Sequence, residues 1–240
     1  MIDITESSIL YSDIQVPYQV KRTKRRSLAI SIQPGGKVEI KIPLFLTEQE
    51  LLRFISKKKA WIHDTYLKQV KREISGITLA EGVKIPFLDQ EYTLRIQCDS
   101  QRSSALVRAT QDELVVLTPN STNEFIKECV ISWYKRNARI ILTRSVDYYA
   151  SRMGIDYGRI SVKNQKSCWG SCSGKGNLNF NWKLAMMPQK VLDYVVVHEL
   201  AHRKEMNHSQ NFWKEVAAVI PEYMELRAWL KTNGGQYEFR

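Results

Sequence analysis

The stretch HELAHRKEMNH, residues 198–208, holds three of the chain's four histidines. His198 and His202 are four positions apart, so on a helix they project from one face and can reach the same cation. Glu199 is turned about 100° around the helix axis from His198, close enough to meet a water on that cation without ligating it. Neutral imidazoles suit a borderline ion such as Zn2+, and an open coordination position keeps a water whose pKa falls to about 7. A nearby carboxylate then takes the water's proton. The chemistry expected is metal-assisted hydrolysis, with one Zn2+ as cofactor and Glu199 as the catalytic base.

Two imidazoles do not complete such a site. His208 is the preferred third ligand, because Asn207 before it tolerates the left-handed conformation that ends helices and lets the chain turn back. Glu205 is the rival, seven residues after His198 and three after His202, on their face if the helix runs that far. His63, in KKAWIHD, has no Cys or His neighbour in sequence and reads as an ordinary surface or half-buried histidine.

The elements that must carry these residues are legible in outline. Ser121 and Glu124 make a capping-box pattern opening a long helix to about Arg152, stopped by Gly154. Its buried stripe is expected to include Ile126, Val130, Trp133, Ile140 and Tyr149. Strands follow near 158–165 and 177–184. Pro188 suits the first turn of the next helix, whose apolar positions include Val191, Leu192, Val195 and Val196 and which Asn207 is expected to end. Ser209 caps a short helix with Phe212, Val216 and Ile220, and Pro221 opens the last one.

The first half reads as strands around one helix. SLAISIQ (27–33) and KVEIKI (37–42) alternate apolar and polar residues about a turn at Pro34, Gly35 and Gly36. Thr47 and Glu50 form a capping box for a helix to about residue 72, with Leu51, Ile55, Ile62 and Tyr66 on its stripe. Short alternating runs between residues 83 and 116 suggest a small antiparallel sheet. No repeat or long linker is visible. The expected class is α+β: a β-rich region with one helix over 1–120, then a catalytic region over 121–240 made of a long helix, a small antiparallel sheet and the HExxH helix.

The chain has 240 residues, 43% hydrophobic, enough for one large domain or two small ones. No apolar run approaches a bilayer span, and MIDITESSIL lacks the basic and apolar parts of a secretory signal, so a cytoplasmic protein with no membrane association is expected. Four scattered cysteines point to reduced thiols; Cys168 and Cys172, without two further ligands nearby, read as structural. The net charge of +11 concentrates at Lys21, Arg22, Lys24, Arg25 and Arg26 and at Lys57–Lys59. Such clusters favour polyanions, although a solvated face is the commoner origin.

YVVVHELAHRKEMNHSQNFW (194–213), preceded by KSCWGSCSGKGNLNFNWKL (166–184), resembles the YgjP-like metallopeptidases, a zincin branch related to SprT-like proteases. The similarity spans roughly residues 20–230. It implies a zincin-like catalytic half, zinc on His198, His202 and His208, a Glu199 base, and a peptide or protein substrate. In related minimal zincins a strand beside the active helix offers its edge to extended substrate; Trp169, Gly170 and Ser171 are the substrate-binding candidates on that basis. The competing reading is a nucleic-acid-associated metalloprotein, its metal structural or its targets bound to nucleic acid, motivated by the basic clusters.

Overall fold

The computed structural model describes residues 4–240. Its contacts fall into two compact units, one ending at Gly76 and one running from Ile77 to Arg240. The boundary read from the sequence, between residues 120 and 121, lies inside the second unit, whose core joins residues on both sides of it.

The first unit opens with strands β1 (Ile4–Tyr11) and β2 (Ile14–Thr23), an antiparallel hairpin whose two turn residues, Ser12 and Asp13, both have positive φ. That is the turn whose twist matches paired strands. Strands β3 (Ala29–Ile32) and β4 (Val38–Pro43) follow, joined by the expected turn at Pro34–Gly36. A Cβ on Gly36, whose φ is +76°, would stand 2.6 Å from the Tyr66 ring, so only glycine allows this close approach. The sheet order is β1-β2-β4-β3, with β2 and β4 parallel. Helix α1 (Glu48–Ser75) starts at the Thr47–Glu50 capping box and buries Leu51, Ile55 and Ile62. His63 is also buried, against the Tyr11 ring at 5.0 Å. The β1–β2 hairpin is absent from the sequence expectations although Val16, Tyr18 and Val20 alternate inward with Gln15, Pro17 and Gln19 outward; Pro17 inside the run weakens the strand signal, and here it sits on the outward face.

The second unit repeats this plan. Strands β5 (Lys84–Phe87), β6 (Gln90–Cys98), β7 (Leu106–Ala109) and β8 (Glu113–Thr118) lie in the order β5-β6-β8-β7. The outer pairs are antiparallel and the central pair parallel, as in the first sheet, and again a long helix follows, α2 (Asn123–Met153). Both sheets are therefore mixed and not antiparallel, and the chain contains a ββββα repeat that shared topology reveals and residue identity does not.

Helix α2 begins one residue later than expected: its N-cap is Thr122, without a side-chain cap, and Asn120 Oδ1 accepts the Thr122 amide at 2.9 Å. The Ser121–Glu124 box does not form. Gly154 ends the helix in the left-handed conformation, as expected. The buried stripe keeps Ile126, Val130 and Trp133 but continues through Tyr134, Ala138, Leu142 and Val146, leaving Ile140 45% exposed. The buried line advances in steps of four through Val130, Tyr134, Ala138, Leu142 and Val146, drifting about 40° around the helix at each step, and so moves away from the Trp133 face on which Ile140 lies seven residues on.

A third, three-stranded sheet, β10-β11-β9, comprises β9 (Ile160–Lys163), β10 (Gly170–Cys172) and β11 (Leu178–Asn181). It too is mixed, β10 antiparallel and β9 parallel to β11. β11 is shorter than read from sequence because the Asn181 carboxamide accepts the Lys183 amide and turns the chain into a 3-10 segment, Trp182–Met186. Helices α3 (Gln189–Ala201), α4 (Gln210–Val219) and α5 (Tyr223–Asn233) complete the unit. Its two ends meet where Ile77 pairs with Phe239, which stacks on buried Trp182. The class is α+β, and among the described residues no helix is long and apolar enough to cross a membrane.

Candidate metal centre

α3 is a buried helix: Val191, Leu192, Val195, Val196 and Val197 enter the core of the second unit. That burial fixes the rotation of the helix and so the direction of His198 and Glu199. The helix stops at Ala201, earlier than Asn207, because the Arg203 and Lys204 amides bond three residues back to the Leu200 and Ala201 carbonyls. Asn207 acts one step later, its Oδ1 accepting the Ser209 amide at 3.1 Å as the chain enters α4. The Ser209 hydroxyl then caps α4 as expected.

The turn between the two helices brings His208 back over α3. One side-chain ligand atom each of His198, His202 and His208 lie within 4.8 Å of one another. His208 Nε2 is 3.1 Å from His198 Nε2, close to the roughly 3.3 Å separation of two nitrogens on a tetrahedral ion with bonds of about 2.0–2.1 Å. His202 Nδ1 donates to the Glu205 carbonyl at 3.1 Å, which leaves Nε2 with the free lone pair a ligand needs. The Glu205 carboxylate, off the helix, is not part of the cluster. Burial, reinforced by the charges of His202, His208 and Arg227, pushes His198 down to about 3, and burial first also lowers His208. Both are therefore neutral donors near neutral pH. These donors fit a zinc-like cation.

Phe212 is the floor of the cluster. It is fully buried, and its ring lies 4.6–4.9 Å from all three imidazoles. Trp213 flanks His208 at 5.7 Å and stacks on Tyr223 at 5.1 Å, with the Arg227 guanidinium over its ring. These supports were not assigned from sequence; the available signal was that Phe212 is the N3 residue of a helix capped immediately after His208.

Glu199 is 5% exposed and borders the same cavity, of about 260 Å3, lined also by Gly170, Ser171, Cys172, Met206 and the three histidines. Burial alone pushes its carboxyl up to about 8. Of the three substrate-binding candidates, Gly170 and Ser171 line the cavity on edge strand β10, whereas Trp169 packs toward Gly234 and Leu230. Arg203, unremarked in the sequence, donates to the Asp156 and Gly174 carbonyls and so ties the turn after α3 to the loop before β9 and to the β10–β11 turn. Cys172 is a half-buried free thiol at the cavity wall, and Cys168 is exposed.

The class is that of a metallopeptidase: the chain from residue 26 to residue 233 matches the model of the YgjP-like metallopeptidase domain. It belongs to that family. Two solved metallopeptidase zymogens are similar over the shorter lengths they span. Pyrococcus abyssi abylysin is 22% identical, with 39% of this chain and 95% of that one covered and a TM-score of 0.36. Methanocaldococcus jannaschii jannalysin is 22% identical, with 38% and 94% covered and a TM-score of 0.35. No curated protein matches the chain.

Proposed function

We propose that the chain is a zinc-dependent peptidase of zincin-like arrangement, in which His198, His202 and His208 hold one zinc ion and Glu199 is the general base. The observation that carries this reading is the convergence of three imidazoles beside a carboxyl held out of water. Bound zinc would supply Lewis acidity, acidifying a water and polarising a scissile carbonyl.

Glu199 accepts the proton of the attacking water and returns it to the leaving nitrogen. Its burial makes the carboxyl a willing proton acceptor, while a neighbouring cation draws its pKa back toward the working range. The exposed edge of β10 receives the substrate as an added strand, its backbone bonded along Gly170–Cys172. A segment bound there would run along the cavity that Glu199 borders.

The test is Glu199→Gln. This variant keeps one zinc per chain and loses cleavage of a peptide or protein substrate by at least a hundredfold, on the scale of general-base catalysis. Undiminished turnover refutes the assignment.

A further inference from the structure

In the first unit, edge strand β3 and helix α1 enclose a groove of about 200 Å3 lined by Leu28, Ala29, Ile30, Phe54, Lys58 and Trp61. Phe54, Lys58 and Trp61 are spaced i, i+4, i+7, one face of α1. Trp61 is 49% exposed and continues an apolar lining made with Leu28, Ile30 and Phe54, a contiguous patch of the kind that marks an interaction site. β3 reads AISI, with neither charge nor proline to blunt its edge. Pairing with β4 on one side leaves every second residue's backbone groups pointing outward.

We propose that this groove docks an extended, acidic polypeptide segment, which adds to β3 as a further strand. Alternate side chains of the segment enter between Phe54 and Trp61, and its Asp and Glu residues lie beside Lys58 and the Lys24–Arg26 run that leads into β3. Charge selects the partner. Residues 1–72 carry fourteen Lys and Arg against seven Asp and Glu, and among the described residues Lys24, Arg25, Arg26, Lys57 and Lys58 have no carboxylate within ion-pair distance. The repeat supplies an internal comparison. The second unit has a groove of about 310 Å3 at the same topological position, between β7 (Leu106, Val107) and α2 (Phe125, Cys129). There Glu128 and Arg136 balance each other, so only the first groove presents a one-signed rim. The apolar lining and open strand edge favour polypeptide over nucleic acid, which would use the charge but not the edge.

The experiment is fluorescence anisotropy with the full chain carrying Glu199→Gln, so that bound peptide is not cut and the result does not depend on the metal centre. The probe is a short peptide of alternating Val and Ile flanked by Asp. Binding is expected, weakened about tenfold or more by Lys58→Glu and by Trp61→Ala, both exposed positions whose substitution is tolerated by the fold. Arg136→Glu, in the second groove, leaves it unchanged. A Lys-flanked peptide and a backbone N-methylated one bind about tenfold more weakly, the latter because strand addition needs its amides. The proposal is overturned by absent binding, by indifference to both first-unit substitutions, by equal binding of the N-methylated probe, or by preference for a single-stranded oligonucleotide over the peptide.

Discussion

A Cβ placed on Gly170 would stand 2.6 Å from Glu199 Oε1 and 2.7 Å from its Cγ. Strand β10 thus lies directly against the buried carboxyl, and the absence of a side chain at this position is what lets the two approach. Gly170→Ala must push the carboxylate aside or lift the strand. Since a shift of about 1 Å can cost a hundredfold in rate, kcat for a peptide substrate should fall by roughly ten- to a hundredfold with zinc content unchanged. Gly174→Ala, where a Cβ would meet nothing within 4 Å, is the matched control. Equal rates for the two variants contradict this role.

Phe212 sets the second expectation. Its ring touches all three imidazoles from below, so shortening it removes both core volume and the surface that orients the histidines. Phe212→Leu should cost about 1–3 kcal/mol in urea denaturation of the metal-free protein. It should also raise the zinc dissociation constant about tenfold in a chelator competition, a loss typical of supporting residues. Loss of stability with unaltered zinc affinity would reduce Phe212 to packing alone.

Glu39 gives a dependence on pH. Its buried carboxylate bonds Lys21 Nζ at 2.8 Å and Lys41 Nζ at 2.9 Å, and these bonds, Lys21 first, hold it below the usual 4.5. Because the folded pKa is the lower one, the stabilisation is complete above 4.5 and is lost as pH falls through the folded value. The lysines are partly solvated, which screens the pair, so Glu39→Gln should cost only about 1 kcal/mol at pH 7. The difference should shrink steadily as pH falls below 4.5. An equal difference at pH 7 and in that acid range would show that charge is not its origin.

Local signals carried the reading furthest where one residue decides the outcome. The Thr47–Glu50 box, the Pro34–Gly36 turn, the Gly154 stop and the Ser209 cap each depend on neighbours within four residues, and each is present. The four-residue spacing of His198 and His202 likewise needed only a helix. What escaped depends on partners distant in sequence. Ser121 and Glu124 carry a capping pattern, yet Asn120 and Thr122 organise that turn; Ile140 fits an apolar stripe that the core does not use. β10 is only three residues long, too short for periodicity to declare, although it borders the cavity. The three mixed sheets arise from parallel pairing of strands separated in sequence by a third, and no periodicity within a strand encodes the direction of its neighbour. Gly170 could be suspected from WGSC, but its reason is Glu199, twenty-nine residues away.

The proposed chemistry depends on three imidazoles from residues 198–208 binding one zinc ion. Its most direct test is elemental analysis of the purified full chain, alongside His202→Ala and His208→Ala. One zinc per chain is expected in the parent and well under half of that in each variant after brief dialysis against a mild chelator. A parent protein without metal after zinc reconstitution, or variants that hold zinc as tightly as the parent, would contradict the account.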